Sequence, residues 1–111
     1  MNNNLNYILQ ECTNGLSEIF DDKLKQVILY GSHARGDFDS ESDIDVMVLV
    51  EMSDEHIMEY RERVTELGAE ISFKNDIMLS IIVKDIEHFN SWLPVYPFYK
   101  VIKKEGVGVF G

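Results

Sequence analysis

Val27-Ile28-Leu29-Tyr30-Gly31-Ser32-His33-Ala34-Arg35-Gly36 is followed, six residues on, by Asp43-Ile44-Asp45-Val46-Met47-Val48-Leu49-Val50. Two apolar runs separated by a glycine-bounded turn and a polar loop read as a pair of strands. In the second run Asp43, Asp45, Met47 and Leu49 share one face, and Ile44, Val46, Val48 and Val50 share the other. Both faces are apolar beyond the third residue, so this is a central strand covered on both sides. Asp43 and Asp45 therefore project side by side from its start, next to the Gly31-Ser32 turn. Such a turn offers backbone N–H groups and a hydroxyl to an anion, while the carboxylates offer hard oxygen ligands. The chemistry of the segment is phosphate and metal handling.

On the N-terminal side, Leu5, Ile8, Leu9, Cys12, Leu16 and Ile19 recur at helical spacing, predicting a helix over residues 4–20 with Gly15 as its weak point. Asp21 and Asp22 open the turn into a first strand over 26–30. After the second strand, Ser53 is an N-cap for a helix whose buried stripe is Ile57, Tyr60, Val64, Leu67 and Ile71, with Gly68 as a candidate interruption. A third strand is expected over 76–83, then a short helix capped by Asp85 and running to about Trp92. The last helix begins at Pro97 and stops at Gly106, behind Lys103 and Lys104. Residues 107–110 are left as an edge strand or an unstructured tail. The pattern predicts an α/β (α+β) domain with a small mixed sheet of about three strands flanked by helices, a single domain over 1–111.

Charge and cysteine content narrow the function. Ten Lys and Arg against twenty Asp and Glu give a net charge of −10, which argues against direct nucleic-acid binding. Nine acidic residues and no Lys or Arg lie between Gly36 and Tyr60, a surface suited to cations or a basic partner, or simply a solvated face. The lone Cys12 falls on the apolar side of the first helix and reads as a packed thiol. With no signal segment and no membrane-spanning run, a cytoplasmic protein is expected.

Two carboxylates held this close repel unless a divalent cation lies between them, and an all-oxygen donor set favours Mg²⁺. Two-ion phosphoryl chemistry calls for a third carboxylate. Asp76, at the start of the third strand, is the candidate; Asp85, an odd number of residues away at the other end, is not. Arg35 suits a triphosphate or a pair with Asp37 or Asp39. His33 reads as an exposed loop histidine, and Ser42 as a brace for the turn. The aromatic residues Phe89, Trp92, Tyr96, Phe98 and Tyr99 fit core packing, base stacking or a docking surface.

Gly31-Ser32-x-Ala34-Arg35-Gly36, with Ser42-Asp43-x-Asp45 after ten residues from Ser32, resembles the signature of the minimal nucleotidyltransferase group of the DNA polymerase beta superfamily. The short length, the leading helix and the ending from Phe98 to Gly106 are similar too. The resemblance implies a polymerase-beta-like fold and transfer of a nucleoside monophosphate, AMP from ATP, with release of pyrophosphate. Gly31, Ser32 and Arg35 would then bind the nucleotide. Asp43, Asp45 and Asp76 would be catalytic and bind two Mg²⁺ ions. It also implies a partner, a helical toxin of the higher-eukaryote-and-prokaryote nucleotide-binding (HEPN) family, whose tyrosine would accept AMP from this antitoxin. Two other readings stay open: a non-catalytic module that neutralises its partner by occlusion, and a transferase acting on an aminoglycoside-type small molecule.

Overall fold

The computed structural model describes residues 3–39 and 41–111. Helix α1 (Asn3–Phe20) buries Leu5, Ile8, Leu9, Cys12, Leu16 and Phe20. Burial pushes the Cys12 thiol up to about 12, which keeps it unreactive. A 3-10 turn at Asp21–Lys23 leads to strand β1 (Leu24–Tyr30), a single helical turn α2 (Ser32–Arg35) and strand β2 (Ile44–Val50). Then come α3 (Asp54–Ile57), α4 (Arg61–Asn75), β3 (Leu79–Asp85), α5 (Ile86–Trp92), α6 (Pro97–Glu105) and β4 (Val107–Phe110).

The sheet has four strands in the order β3-β2-β1-β4, with β1 antiparallel to both neighbours and β3 parallel to β2. It is the small mixed sheet expected, extended by the 107–110 run. Residues Val46 to Val50 are wholly buried because helices cover both sides. Val27, Leu29, Ile44, Val46 and Val48 pack with α1 and α4, whereas Met47 and Leu49 pack with Phe89, Tyr99 and Ile102 of α5 and α6. The face that carries Asp45 at one end is therefore the α5–α6 face.

The segment expected as one helix from Ser53 is broken. Ser53 does cap α3, accepting the His56 N–H, but a 3-10 turn at Met58–Tyr60 separates α3 from α4. Gly68 does not interrupt α4; it is buried where the helix crosses β3, with the Ile81 side chain and Leu79 carbonyl close by. Gly15 likewise marks a close approach, since a Cβ there would run into the Leu67 side chain.

The third strand starts later than expected. Helix α4 continues to Asn75, and Asp76 closes it with a left-handed backbone (φ 51°), its N–H donating to the Ser72 carbonyl. The expectation that Asp76 begins β3 is thus corrected: it is a helix cap. On the open side of β3 the Leu79 N–H donates to Ser72 Oγ (2.9 Å) and the Asp85 N–H to Asp54 Oδ1 (3.3 Å). Among the described residues no helix is long and apolar enough to cross a membrane.

Candidate active site

Strand pairing places Tyr30, Asp45 and Ser80 in one row across β1, β2 and β3. Gly31 follows Tyr30 directly and adopts φ 77°, ψ −158°, a conformation open essentially to glycine alone. A Cβ on Gly31 would lie 2.6 Å from Asp45 Oδ2. The carboxylate therefore rests against the bare Cα of the turn, and this contact fixes the glycine. The carbonyl of Gly31 accepts the N–H groups of Ala34 and Arg35 (3.1 Å each), which leaves the N–H groups of Ser32 and His33 ahead of the first bonds of α2.

Asp43 is exposed and lies one residue before β2, whose start is pinned by the Ile44 N–H on the Met78 carbonyl (2.9 Å). Ser42 braces the approach as expected: its Oγ accepts the Asp39 N–H (2.9 Å). His33 differs from its reading as an exposed loop residue. It is partly buried, its Nε2–H donates to the Ser42 carbonyl (3.0 Å) and its ring stacks on Phe38 at 4.5 Å. Direction of the donation assigns the proton to Nε2 and leaves Nδ1 buried without a partner among the described residues. His33 thereby ties α2 to the segment that carries Asp43.

Burial first, and the charge of Asp43 second, hold the Asp45 carboxyl above the usual carboxylate range, with His33 and Arg35 pulling the other way. The neighbouring Tyr30 hydroxyl is pushed up to about 12 by burial and by Asp45. Arg35 pairs with Asp37 at 3.1 Å in an exposed contact. Phe98 meets the Tyr30 ring edge-on at 5.6 Å, so the α6 end reaches the site. The aromatic stretch divides: Phe89 and Tyr99 are core, while Trp92, Tyr96 and Phe98 are 42%, 40% and 44% exposed.

Asp76 is not brought to Asp43 and Asp45. It lines a cavity of about 450 Å³ with Leu5, Ile8, His33, Ile44 and Ile77, on the α1 side of the sheet, whereas Asp45 faces the α5–α6 side. Among the described residues no three His, Cys, Asp or Glu side chains gather into a metal cluster. What remains is a pair of carboxylates, one of them desolvated and strained by the other's charge. That all-oxygen pair fits a hard divalent cation such as Mg²⁺, bound through one or two carboxylates with phosphate and water completing the shell.

Residues 9–107 match the family described as "Nucleotidyltransferase domain". Over 76 residues, 68% of this chain and 75% of the relative, the sequence is 40% identical to "Putative protein adenylyltransferase MJ0141" of Methanocaldococcus jannaschii. Its fold is similar to that of a toxin–antitoxin crystallised with AMP-PNP (TM-score 0.61, 19% identity, 93% of this chain and 73% of the other). It is also similar to a chain in the complex of tri-AMPylated HEPN toxin with MNT antitoxin from Shewanella oneidensis (TM-score 0.50, 18% identity, 93% and 72%).

Proposed function

The chain belongs to the nucleotidyltransferase domain family, and from that premise we propose that it moves AMP from ATP to a tyrosine hydroxyl of a HEPN-family toxin, acting in the cytoplasm as the antitoxin. One observation carries this reading: the Asp45 carboxylate is seated against Gly31 with Asp43 next to it, so a glycine turn suited to phosphate and a carboxylate pair suited to a divalent cation lie in one place. The name of the Methanocaldococcus relative supports AMP as the transferred group, and the Shewanella complex supports the class of partner.

Gly31 and Ser32 hold the β- and γ-phosphates through the turn's N–H groups and the Ser32 hydroxyl. Arg35 turns from its exposed pair with Asp37, a contact worth little, to the triphosphate. Asp43 and Asp45 hold Mg²⁺, which when bound neutralises charge on the transferred phosphoryl group and the leaving pyrophosphate. The tyrosine oxygen attacks the α-phosphorus, the bond to the bridging oxygen of the β-phosphate breaks, pyrophosphate departs and the hydroxyl proton passes to a site carboxylate.

The exposed Trp92, Tyr96 and Phe98 favour a second reading, neutralisation by occlusion without transfer. A purified HEPN-family toxin incubated with this protein, ATP and Mg²⁺ separates the two by intact mass. Transfer predicts a gain of one or more AMP units with the wild type and none with Asp43→Asn/Asp45→Asn. A stable complex with unchanged toxin mass overturns transfer and leaves occlusion.

A further inference from the structure

The metal centre of a two-ion phosphoryl transferase needs a third oxygen ligand beside a carboxylate pair, and the strand register says which residue of β3 can stand there. Asp45 is aligned with Ser80, and Met47 with Ile82, on the parallel β2–β3 pair. Aligned residues on neighbouring strands point to the same face and sit about 5 Å apart. Ser80 is therefore the β3 side chain that borders Asp45. On the other flank the aligned residue is Tyr30, a phenol rather than a carboxylate. Asp76 closes α4 and lines a cavity on the opposite side of the sheet; Asp85 is aligned with Val50 at the far end. No third carboxylate occupies the row.

Resting on the metal-dependent reading above, we propose that Ser80 fills the third corner of the centre in place of a carboxylate. The chain by itself then holds one divalent cation between Asp43 and Asp45, and a second ion is retained only when the nucleotide phosphates supply the missing anionic oxygens. A neutral hydroxyl at this corner leaves the centre with two negative charges rather than three. Affinity of an oxygen site for a hard cation drops when a charged ligand is replaced by a neutral one. The centre is thereby assembled by its substrate, and bare cation in solution does not fill it.

The test is Mn²⁺ binding to the full chain without nucleotide, followed by titration calorimetry and by the electron spin resonance of free Mn²⁺, with folding of each variant checked by circular dichroism. Wild type is expected to take up one Mn²⁺ weakly, and Asp43→Asn to lose it. Ser80→Asp is expected to bind at least about tenfold tighter and to take up a second ion. Asp76→Asn is expected to stay within about twofold of the wild type in this nucleotide-free assay. Loss of Mn²⁺ in Asp76→Asn to the extent seen in Asp43→Asn would assign the third corner to Asp76 and overturn the proposal. A folded Ser80→Asp with unchanged affinity and stoichiometry would overturn it as well. Should neither the wild type nor Ser80→Asp bind Mn²⁺ while the toxin still gains AMP, the proposal fails and the transferase reading stands. If toxin mass is unchanged too, both fail.

Discussion

Gly31 and Asp45 belong to each other: the backbone turns through a conformation closed to other residues, and the space a side chain would fill is taken by a carboxylate. Gly31→Ala should cost about 1–3 kcal/mol of stability in urea unfolding, and it should suppress transfer by displacing Asp45. The opposite trade is expected of Asp45→Asn. A carboxyl raised by burial and by Asp43 makes the folded state the stronger proton binder, so its ionised form opposes folding above the raised value. As pH falls through that value the penalty fades, and it is absent below the ordinary carboxylate range. Asp45→Asn should therefore melt higher than the wild type at pH 7 in metal-free buffer, with the gap closing on acidification, while losing AMP transfer. A variant that melts lower at every pH would contradict this account of the electrostatics. His33 belongs at the same scale: a spacing argument could not distinguish a loop histidine from one that ties α2 to Ser42, because the tie depends on where residues 37–42 run.

Elements whose period and caps agree were legible in the sequence. Residues 3–20 and 44–50 follow their helical and strand patterns closely, and Ser53 and Asp85 cap α3 and α5 by accepting the N–H groups of His56 and Glu87. Replacing either cap by Ala should cost about 1 kcal/mol, read as a lower denaturation midpoint with an unchanged slope. Where α4 ends was not legible. Its stop is an aspartate in the left-handed region, where glycine is the usual signal, and Ile77 and Met78 continue the apolar run backwards from the strand. That shift of three residues removed Asp76 from the strand and with it the expected third ligand. Alignment of Asp45 with Ser80 lay beyond sequence reasoning altogether. It is set by how segments 35 residues apart pack under α4, not by any local spacing.

For the molecule as a whole, the net charge of −10 has little positive charge to offset it around residues 36–60. Self-repulsion of this kind weakens the compact state and is screened by salt. The melting temperature should rise between about 0.01 M and about 0.5 M NaCl, and a fall over that range would show that ion pairs such as Lys74–Glu11 outweigh repulsion. The same charge keeps copies apart, yet a sheet with an uncovered outer strand still offers a template for growth. β3 has β2 on one side only, and its outward backbone groups are those of Leu79, Ile81, Val83 and Asp85, by alternation from the Met78 carbonyl that serves β2. Side chains already occupy the first and last of these donors, Ser72 at Leu79 and Asp54 at Asp85. An incoming strand would have to evict a hydroxyl at one end and a carboxylate at the other to gain a ladder longer than two residues. The strand is sealed at its ends like a laced cord, and fibrillar self-assembly along this edge is held off without a proline or a covering helix.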